Sequence, residues 1–293
     1  MTEARGGGQP LDILLDLLRL ERLERDLFRG RNRDIGSGRV FGGQVLAQAL
    51  IAAGQTVEGR HAHSLHAYFL LPGDVEAPIV YQVDRNRDGK SFTTRRVLAL
   101  QNGREIFTMT ASFQVDEPGI SHGATPPAVP APEELPRELD LVRAMADRIP
   151  APLRAVYTQD RPIDFRPVAP VDPFAPDRRP PVKHVWFRAD GTMPDDLLLH
   201  QAVLAYASDY GLLGTALLPH GLSFMQRWLQ GGSLDHAVWF HRPFRVDEWL
   251  LYATDSPAAG GARGFARGQL HTRDGHLVAS TAQEGLLRLH REP

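Results

Sequence analysis

Apolar residues recur along the first half of this chain in two different periods. The segment 11–28, LDILLDLLRLERLERDLF, has leucines at helical spacing with charges between them, which predicts an amphipathic helix. The segment 45–57, VLAQALIAAGQTV, is apolar almost throughout, which predicts a helix buried on most sides. Four strand-like segments follow between 64 and 115, separated by the turn sequences PGD, RDGK and QNGR. The order predicts a buried helix followed by an antiparallel meander, not a parallel α/β sheet.

The second half carries three polar residues in otherwise apolar segments. LLLHQAVLAYASDYGLLGTALL predicts a long buried helix with Asp209 in its interior. SLDHAVWFHRPF predicts a strand that begins at Ser233, and HLVASTAQEGLLRL predicts a last strand that contains Gln283. A polar side chain in a core segment is either a hydrogen-bonded core residue or part of a functional site. Taken alone, the pattern leaves both interpretations open for each of the three.

The two halves resemble each other in sequence. Four pairs of segments match in the same order and at nearly constant spacing, which predicts an internal duplication. Each copy has a strand, a buried helix and four antiparallel strands. The matched pairs are LFRG with VWFRADG, VLAQAL with VLAYAS, SLHAYFLLPG with SLDHAVWFHRPF, and QNGREIFTMTA with TRDGHLVASTA.

A helix this apolar must be covered nearly all round, and a curved antiparallel sheet wrapped around it does so with the fewest elements. That arrangement is the hotdog fold, so the sequence predicts an α+β double hotdog whose two sheets pair within one chain. The expected boundaries are 10–117 for the N-terminal unit and 182–293 for the C-terminal unit. The Pro-rich segment 118–181 is expected to be a connector with a short helix in its Ala-rich part.

The duplication also allows the three polar residues to be compared with the first copy. Aligning the copies places Asp209 opposite Ile51. The same comparison places Gln283 opposite Ser112 and Ser233 opposite Ser64. The acid and the amide are therefore expected only in the second copy, so that one of the two pseudo-equivalent sites is equipped for chemistry.

Composition and charge restrict the function classes. The net charge of −2 gives no general attraction to nucleic acid or to an anionic membrane surface. The chain has no cysteine, which excludes disulfides, thiolate metal sites and a cysteine nucleophile. No secretory signal and no apolar run of about 18 residues is present, so no membrane span is expected. We therefore expect a cytoplasmic protein.

Two other constellations invite a catalytic or metal-binding interpretation, and both are weak. Ser233, Asp235 and His236 contain the residue types of a serine-hydrolase triad. Strand alternation, however, puts His236 on the opposite face from the other two, and the chain has no G-x-S-x-G sequence. His61, His63 and His66 are clustered, but their spacing matches no zinc-protease pattern. No metal site is expected from them.

The sequence resembles the acyl-CoA thioesterase II family from about Leu11 to Leu289. The resemblance is carried by several segments in combination, namely FRG, VFGGQVLAQAL, HSLHAYFLLPGD, RDGKSFTTRRV, MTASFQ, SDYGLL, LDHAVWFHRPF, EWLLY and ARGFARGQLHTRDGHLVASTAQEG. It implies hydrolysis of a fatty acyl-CoA to a free fatty acid and CoA, with no metal or organic cofactor. It also implies a homo-oligomer, a dimer or a tetramer. His63 lies in HSLHAYFL, a segment typical of the family, and could line a site.

The resemblance assigns the catalytic trio to Asp209, Ser233 and Gln283. The carboxylate would act as general base on a water molecule that the hydroxyl and the amide fix in place. Many family members have Thr at the hydroxyl position, and Ser lacks the methyl group that restricts χ1. The oxyanion donor stays open between backbone N–H groups near Gly42 and Gly43 or near Gly211.

Other expectations concern the substrate's charged part and the glycine-rich loop. Arg95, Arg96, Arg263 and Arg267 lie on predicted strands, where they could meet the CoA phosphates or simply form a solvated sheet face. The loop GSGRVFGG lacks the spacing of a dinucleotide or P-loop motif, which favours flexibility before a helix over phosphate binding.

Two alternative functions remain. The first is a hotdog enoyl-CoA hydratase, which uses an Asp–His pair; no histidine follows Asp209 before His220, and this counts against it. The second is a non-catalytic carrier of acyl-CoA or lipid, which the polar trio disfavours.

Overall fold

The computed structural model describes residues 9–36 and 38–290. Its helices alternate with blocks of strands in the order predicted from the sequence. Within the described residues the α-helices are α1 (Pro10–Leu18), α2 (Gly42–Gly54), α3 (Glu138–Ala144), α4 (Ala151–Tyr157) and α5 (Leu197–Ser208). Short 3-10 helices are formed by Pro132–Glu134, Ala146–Arg148 and Leu213–His220.

The strands form one antiparallel sheet. Within the described residues they are β1 (Glu21–Glu24), β2 (Leu27–Gly30), β3 (His61–Phe69), β4 (Ile79–Asp88), β5 (Phe92–Gln101), β6 (Arg104–Gln114), β7 (Ile163–Pro167), β8 (Val182–Ala189), β9 (Leu229–Ser233), β10 (Asp235–Phe240), β11 (Leu250–Gly260), β12 (Arg263–Thr272) and β13 (Leu277–Leu289). Their order is β1-β2-β4-β5-β6-β3-β10-β13-β12-β11-β8-β7, and β9 pairs with β13. The β3–β10 pair joins the two halves into a continuous sheet.

Pairing of β3 with β10 is symmetric. Tyr68 lies opposite Asp235, and Ser64 lies opposite Trp239. Because His66 and Ala237 also face each other, the two copies are related by a pseudo-two-fold axis that passes between this pair. The expected pairing of the two sheets within one chain is therefore present.

The two central helices pack against each other in opposite directions. A Cβ atom on Gly43, near the start of α2, would lie 2.5 Å from the Tyr206 carbonyl near the end of α5. A Cβ atom on Gly54, at the other end of α2, would lie 2.4 Å from Leu198. Gly43 thus permits a close approach of the two backbones that a larger residue would prevent, and Gly54 leaves space for the Leu198 side chain. The start of α2 is brought beside the end of α5.

The N-terminal helix is shorter than predicted. It ends at Leu18, and the chain continues into the β1–β2 hairpin, whose turn residue Asp26 has a φ of 61°. Leu11, Leu14 and Leu18 are buried as expected, but Leu23 lies on β1 and is 41% exposed. The helical spacing of leucines continues to Leu23, but from Glu21 the backbone pairs with β2 and no longer forms helical hydrogen bonds. No helix of the described residues is long and apolar enough to cross a membrane.

The Pro-rich segment contains more regular structure than expected. It carries α3 and α4, and it also forms β7, which pairs with β8 at one edge of the sheet. Asp164 of β7 is nearly buried and receives ion pairs from Arg137 and Arg166. These contacts attach the segment to the C-terminal half.

A substitution at Leu65 tests how much the central pair of strands contributes to the free energy of unfolding. It is fully buried on β3, next to the pseudo-two-fold axis. Leu65→Ala should lower the free energy of unfolding by about 2–5 kcal/mol, because it leaves a cavity at the junction of the halves. Leu23→Ala, at an exposed position of the same residue type, should change it by less than about 0.5 kcal/mol. Urea denaturation of both variants measures the difference; equal losses would contradict the assignment.

Candidate active site

Asp209 lies at the C-terminal end of α5, not in the interior of a helix as predicted. The last helical residue is Ser208, and Asp209 is the C-cap with φ −76° and ψ −13°. Gly211 then has φ +70°, a left-handed conformation that glycine adopts readily and that turns the chain away from the helix axis. The apolar run beyond it forms the separate 3-10 helix. The turn directs the Asp209 side chain, which is 5% exposed, into the protein.

The structure brings Asp209, Ser233 and Gln283 together. Gln283 Nε2 donates to Asp209 Oδ1 over 2.6 Å and to Ser233 Oγ over 3.0 Å. The Ser233 hydroxyl in turn lies 3.5 Å from Asp209 Oδ1. Gln283 is 1% exposed, and Ser233 is partly exposed. The three residues come from α5, β9 and β13, which are far apart in the sequence.

A bulge between β9 and β10 changes the predicted face of His236. Ser233 pairs with Gly285, whereas Ala237 pairs with Ala282, so the β9–β10 side has one extra residue, at Leu234. An extra residue resets strand alternation. The prediction that His236 points away from Ser233 was therefore wrong, because both side chains lie beside Asp209.

His236 is fully buried against the end of α5. Its Nδ1 lies 3.8 Å from Asp209 Oδ1, and its Nε2 lies 2.9 Å from Ser208 Oγ. Burial lowers the pKa of His236 below its usual value, although the neighbouring Asp209 and Asp235 carboxylates act in the opposite direction. The imidazole is thus neutral near pH 7. A serine-hydrolase triad would require a hydrogen bond between His236 and Ser233. His236 instead hydrogen-bonds Ser208.

The other carboxylate oxygen faces the start of α2. A Cβ atom on Gly42 would lie 2.8 Å from Asp209 Oδ2 and 2.9 Å from the Phe69 ring. The first N–H groups of a helix have no intrahelical acceptor, and the helix N-terminus carries partial positive charge. Phe41 is the N-cap of α2 and contributes no side-chain hydrogen bond there. Among the described residues the N–H groups of Gly42 and Gly43 have no acceptor, so they can bind another acceptor beside Asp209.

Two buried polar atoms at this site have no hydrogen-bond partner among the described residues. They are Gln283 Oε1 and His236 Nδ1. Buried polar side-chain atoms are usually paired, and exceptions call for an explanation such as a ligand or a catalytic role. Both atoms belong to side chains that contact or face Asp209 Oδ1.

The pairing register of the strands corrects the alignment of the two copies that the sequence predicts. One strand bulge falls at His63 in the first copy and at Leu234 in the second. A second bulge falls at Ile106 and at Val278 in the corresponding hairpins. Both coincidences, and the symmetric β3–β10 pairing, give the same alignment of the copies. It differs by one or two residues from the one that the sequence predicts.

On this alignment the first copy is apolar at every strand position of the site. Ser64 and Ser112 are thus not the counterparts of Ser233 and Gln283, since Ser112 faces outwards and bonds His63 over 2.8 Å. The counterparts are Ala62 for Ser233, Leu65 for His236 and Ala111 for Gln283, with Ile51 opposite Asp209 from the helix alignment. All four apolar residues are buried. The polar cluster is therefore confined to the second copy.

Aromatic side chains support the end of α5. The Tyr252 hydroxyl donates to the Ser208 carbonyl over 3.2 Å and lies 2.8 Å from Thr281 Oγ1. Tyr206 and Tyr210, on either side of Asp209 in the sequence, pack edge-on against Phe41. Burial raises the pKa of all three tyrosines, so that they are neutral at physiological pH.

An apolar cavity near the site lies under the Pro-rich segment. It has a volume of about 340 Å³ and is lined by residues of α1, α3 and α4, with Tyr206 and Tyr210. Asp209, Ser233 and Gln283 are not among its lining residues. The cavity therefore reaches the neighbours of Asp209 in the sequence, Tyr206 and Tyr210, but not the polar cluster itself.

The remaining candidates lie elsewhere. Arg95 is 1% exposed and bonds Thr56 and Asp88, so it is a structural residue and is not presented to a ligand. Arg263 pairs with Glu284 and Arg267 with Asp255 on the sheet surface. Among the described residues no group of three or more histidine, cysteine or acidic side chains is arranged to hold a metal ion.

The comparisons with known proteins identify the family. Residues 152–286 match the family described as acyl-CoA thioesterase, and residues 29–114 match the one described as acyl-CoA thioesterase N-terminal domain. The chain belongs to the acyl-CoA thioesterase family. It is 43% identical to acyl-CoA thioesterase 2 of Haemophilus influenzae over 95% of this chain and 98% of that protein. It is also 43% identical to acyl-coenzyme A thioesterase 8 of Homo sapiens, over 94% and 89% respectively.

Solved structures confirm the fold of this acyl-CoA thioesterase family member. The acyl-CoA thioesterase II TesB2 of Mycobacterium marinum matches with a TM-score of 0.78 and 42% identity, over 95% of this chain and 99% of that one. A hot dog protein of Alicyclobacillus acidocaldarius matches with a TM-score of 0.76 at 22% identity, over 95% and 98%, which speaks for the fold alone. The predicted family and the predicted α+β double hotdog are both confirmed.

Buried neutral histidines predict a stability that depends on pH. Burial lowers the folded-state pKa of His200, His236 and His271, so below about pH 6.5 the unfolded chain binds protons that the folded chain does not. Their contribution is complete above pH 6.5 and is lost as the pH falls towards the folded-state pKa. Urea titrations at pH 7.5, 6.5 and 5.5 should give decreasing free energies of unfolding. His236→Leu should reduce the decrease, and an unchanged slope would contradict a buried neutral imidazole.

Proposed function

We propose that this member of the acyl-CoA thioesterase family hydrolyses fatty acyl-CoA to a free fatty acid and CoA, using a water molecule that Asp209 deprotonates. Family membership makes the chain a thioester hydrolase. The observation that supports the mechanism is the hydrogen-bonded cluster of Asp209, Ser233 and Gln283 at the end of α5. Thiolate is a good leaving group, so a covalent acyl-enzyme is not required.

Asp209 is suited to the role of base because its two oxygens have different surroundings. Oδ1 receives the Gln283 amide and faces the Ser233 hydroxyl. Oδ2 points towards the start of α2 at Gly42. The hydrogen bonds to Oδ1 fix the carboxylate plane, and Oδ2 is left to take a proton from water.

Ser233 and Gln283 would hold that water molecule. The Ser233 hydroxyl can both donate and accept, and it is the partly exposed member of the cluster. Gln283 Oε1 has no hydrogen-bond partner among the described residues and can accept a hydrogen bond from water. A water molecule bound by these groups and Asp209 Oδ2 would have a lone pair directed at an incoming carbonyl carbon.

The oxyanion would be stabilised by the first turn of α2. Gly42 and Gly43 contribute N–H groups that have no acceptor among the described residues, at a positive helix end, and the absence of side chains allows close approach. Gly211, the other candidate, lies nearest to Lys183 Nζ, 3.0 Å from the position of its missing Cβ. The arrangement around Asp209 Oδ2 favours Gly42 and Gly43 over Gly211.

A second candidate function draws on a specific observation. Hydratases of this fold use an Asp–His pair, and His236 lies 3.8 Å from Asp209 although it is 27 positions later in the chain. This position weakens the sequence argument against a hydratase. Full burial of His236 and its bond to Ser208 favour the hydrolase. Incubation with crotonyl-CoA separates the two, because a hydratase consumes the enoyl absorbance without releasing thiol.

Asp209→Asn tests the proposed base. The amide keeps the size of the side chain but cannot accept the proton, so kcat for palmitoyl-CoA should fall by at least about 100-fold. A thiol reagent measures the released CoA, and the absence of cysteine in the chain removes the protein's own signal. Glu284→Gln is the matched control, because Glu284 follows Gln283 but bonds Arg263 at the surface. Wild-type activity in Asp209→Asn would contradict the assignment.

Two substitutions at Ser233 test whether its hydroxyl group contributes to hydrolysis. Ser233→Thr keeps the donor and acceptor and should retain kcat within about threefold. Ser233→Ala removes a hydrogen bond to a charged group and should lower kcat by about tenfold or more. The same thiol assay compares the two variants. Equal activity in Ser233→Ala and wild type would exclude a role for the hydroxyl.

A further inference from the structure

His236 is a buried imidazole that the proposed mechanism does not use. It lies on β10, completely enclosed, between Ser208 and Asp209 at the end of α5. We propose that His236 is a positioning residue for hydrolysis, whose Nδ1–H holds the Asp209 carboxylate on its Oδ1 side and leaves Oδ2 free as the base. This inference rests on the proposed function, since it assigns His236 an action through Asp209.

The hydrogen-bond geometry specifies which ring nitrogen carries the proton. A neutral imidazole has one N–H and one lone pair. The Ser208 hydroxyl lies 2.9 Å from Nε2 and 3.0 Å from the Ala205 carbonyl, so it can donate to either. The Asp209 carboxylate decides between them, because a lone pair on Nδ1 would face a negative oxygen at 3.8 Å. Ser208 therefore donates to Nε2, and Nδ1 presents its hydrogen to Asp209.

The distance of 3.8 Å is longer than a hydrogen bond but short enough to be closed by a small rotation of the carboxylate. Catalytic hydrogen bonds are often long without substrate and tighten in the reacting complex. Oδ1 already accepts a hydrogen bond from the Gln283 amide, so His236 would be a second donor to the same oxygen. Once this contact has closed in the reacting complex, both donors hold Oδ1, and the carboxylate is kept from turning Oδ2 away from the start of α2.

The first copy of the duplicated unit shows what this position looks like without an active site. The counterpart of His236 is Leu65, which is equally buried. The counterpart of Ser208 is Leu50, also fully buried. The fold thus accepts leucine at both positions, and the polar pair occurs only in the copy that has Asp209.

His236→Leu is the decisive variant, since it installs the residue of the first copy. We expect kcat for palmitoyl-CoA to fall by about tenfold or more, because a donor to a charged group is lost, while KM stays within about twofold. His271→Leu is the matched control; His271 is equally buried on β12, with both ring nitrogens unpaired among the described residues, and it should retain wild-type kcat. A kcat within twofold of wild type in His236→Leu would overturn the proposal.

A double-variant cycle separates positioning from a general structural effect. In the Asp209→Asn background, His236→Leu should cause no further loss, because the residue acts through the carboxylate. An additional tenfold loss in that background would overturn the proposal. Asp209→Asn measured alone keeps the two hypotheses apart, since wild-type activity in it would refute the proposed base and not the geometry of His236.

Two further variants keep the proposal testable if His236→Leu fails to fold. His236→Asn places an amide nitrogen near the position of Nδ1 and should recover at least a third of the wild-type kcat. Ser208→Ala removes the hydrogen that fixes the tautomer and should lower kcat severalfold without changing KM. Wild-type kcat in Ser208→Ala, together with no recovery in His236→Asn, would overturn the assignment of Nδ1–H as the donor.

Discussion

The contact between α2 and α5 determines which groups surround the Asp209 carboxylate on its Oδ2 side. Gly43 allows the α2 backbone to approach the Tyr206 carbonyl, Gly54 leaves room for the Leu198 side chain, and the antiparallel arrangement brings the start of α2 to the end of α5. The Asp209 carboxylate, at the C-cap of α5, then lies beside the first N–H groups of α2. Neither helix could provide this juxtaposition alone, so the duplication is a requirement of the site, not only of the fold.

Arg95 and the polar cluster at Asp209 illustrate two ways in which polar side chains are buried in this chain. In the first half, Arg95 is almost inaccessible, but its guanidinium bonds Thr56, Asp88 and backbone carbonyls, so its burial is compensated. In the second half, Gln283 Oε1 and His236 Nδ1 are buried and unpaired among the described residues. Such uncompensated groups are expected where function, not stability, selects the residues. Unpaired buried atoms also occur at Thr93 and His271, so the proximity of Gln283 and His236 to the Asp209 carboxylate, and not the unpaired atoms alone, points to this cluster.

Much of this arrangement was predictable from the sequence, and the exceptions share a cause. Apolar periodicity identified the buried helices and the meander, and the family resemblance singled out Asp209, Ser233 and Gln283, which the structure places within hydrogen-bonding distance of one another. The end of α5 was missed because Gly211, with φ +70°, stops the helix inside an apolar run. His236 was placed on the wrong face because one extra residue at Leu234 resets the alternation. Both features depend on pairing with distant strands and turns, which local periodicity does not record.

The bulge at Leu234 also explains how one strand can serve two purposes. Without it, Ser233 and His236 would face opposite sides of the sheet, and only one of them could reach Asp209. With it, both approach the carboxylate, Ser233 towards the accessible side and His236 from the closed side. The first copy has a bulge at the equivalent His63, but the residues around it on the inner face are Ala62 and Leu65. The backbone geometry was thus already present in the repeated unit, and the identities of a few side chains decide which copy carries the polar cluster.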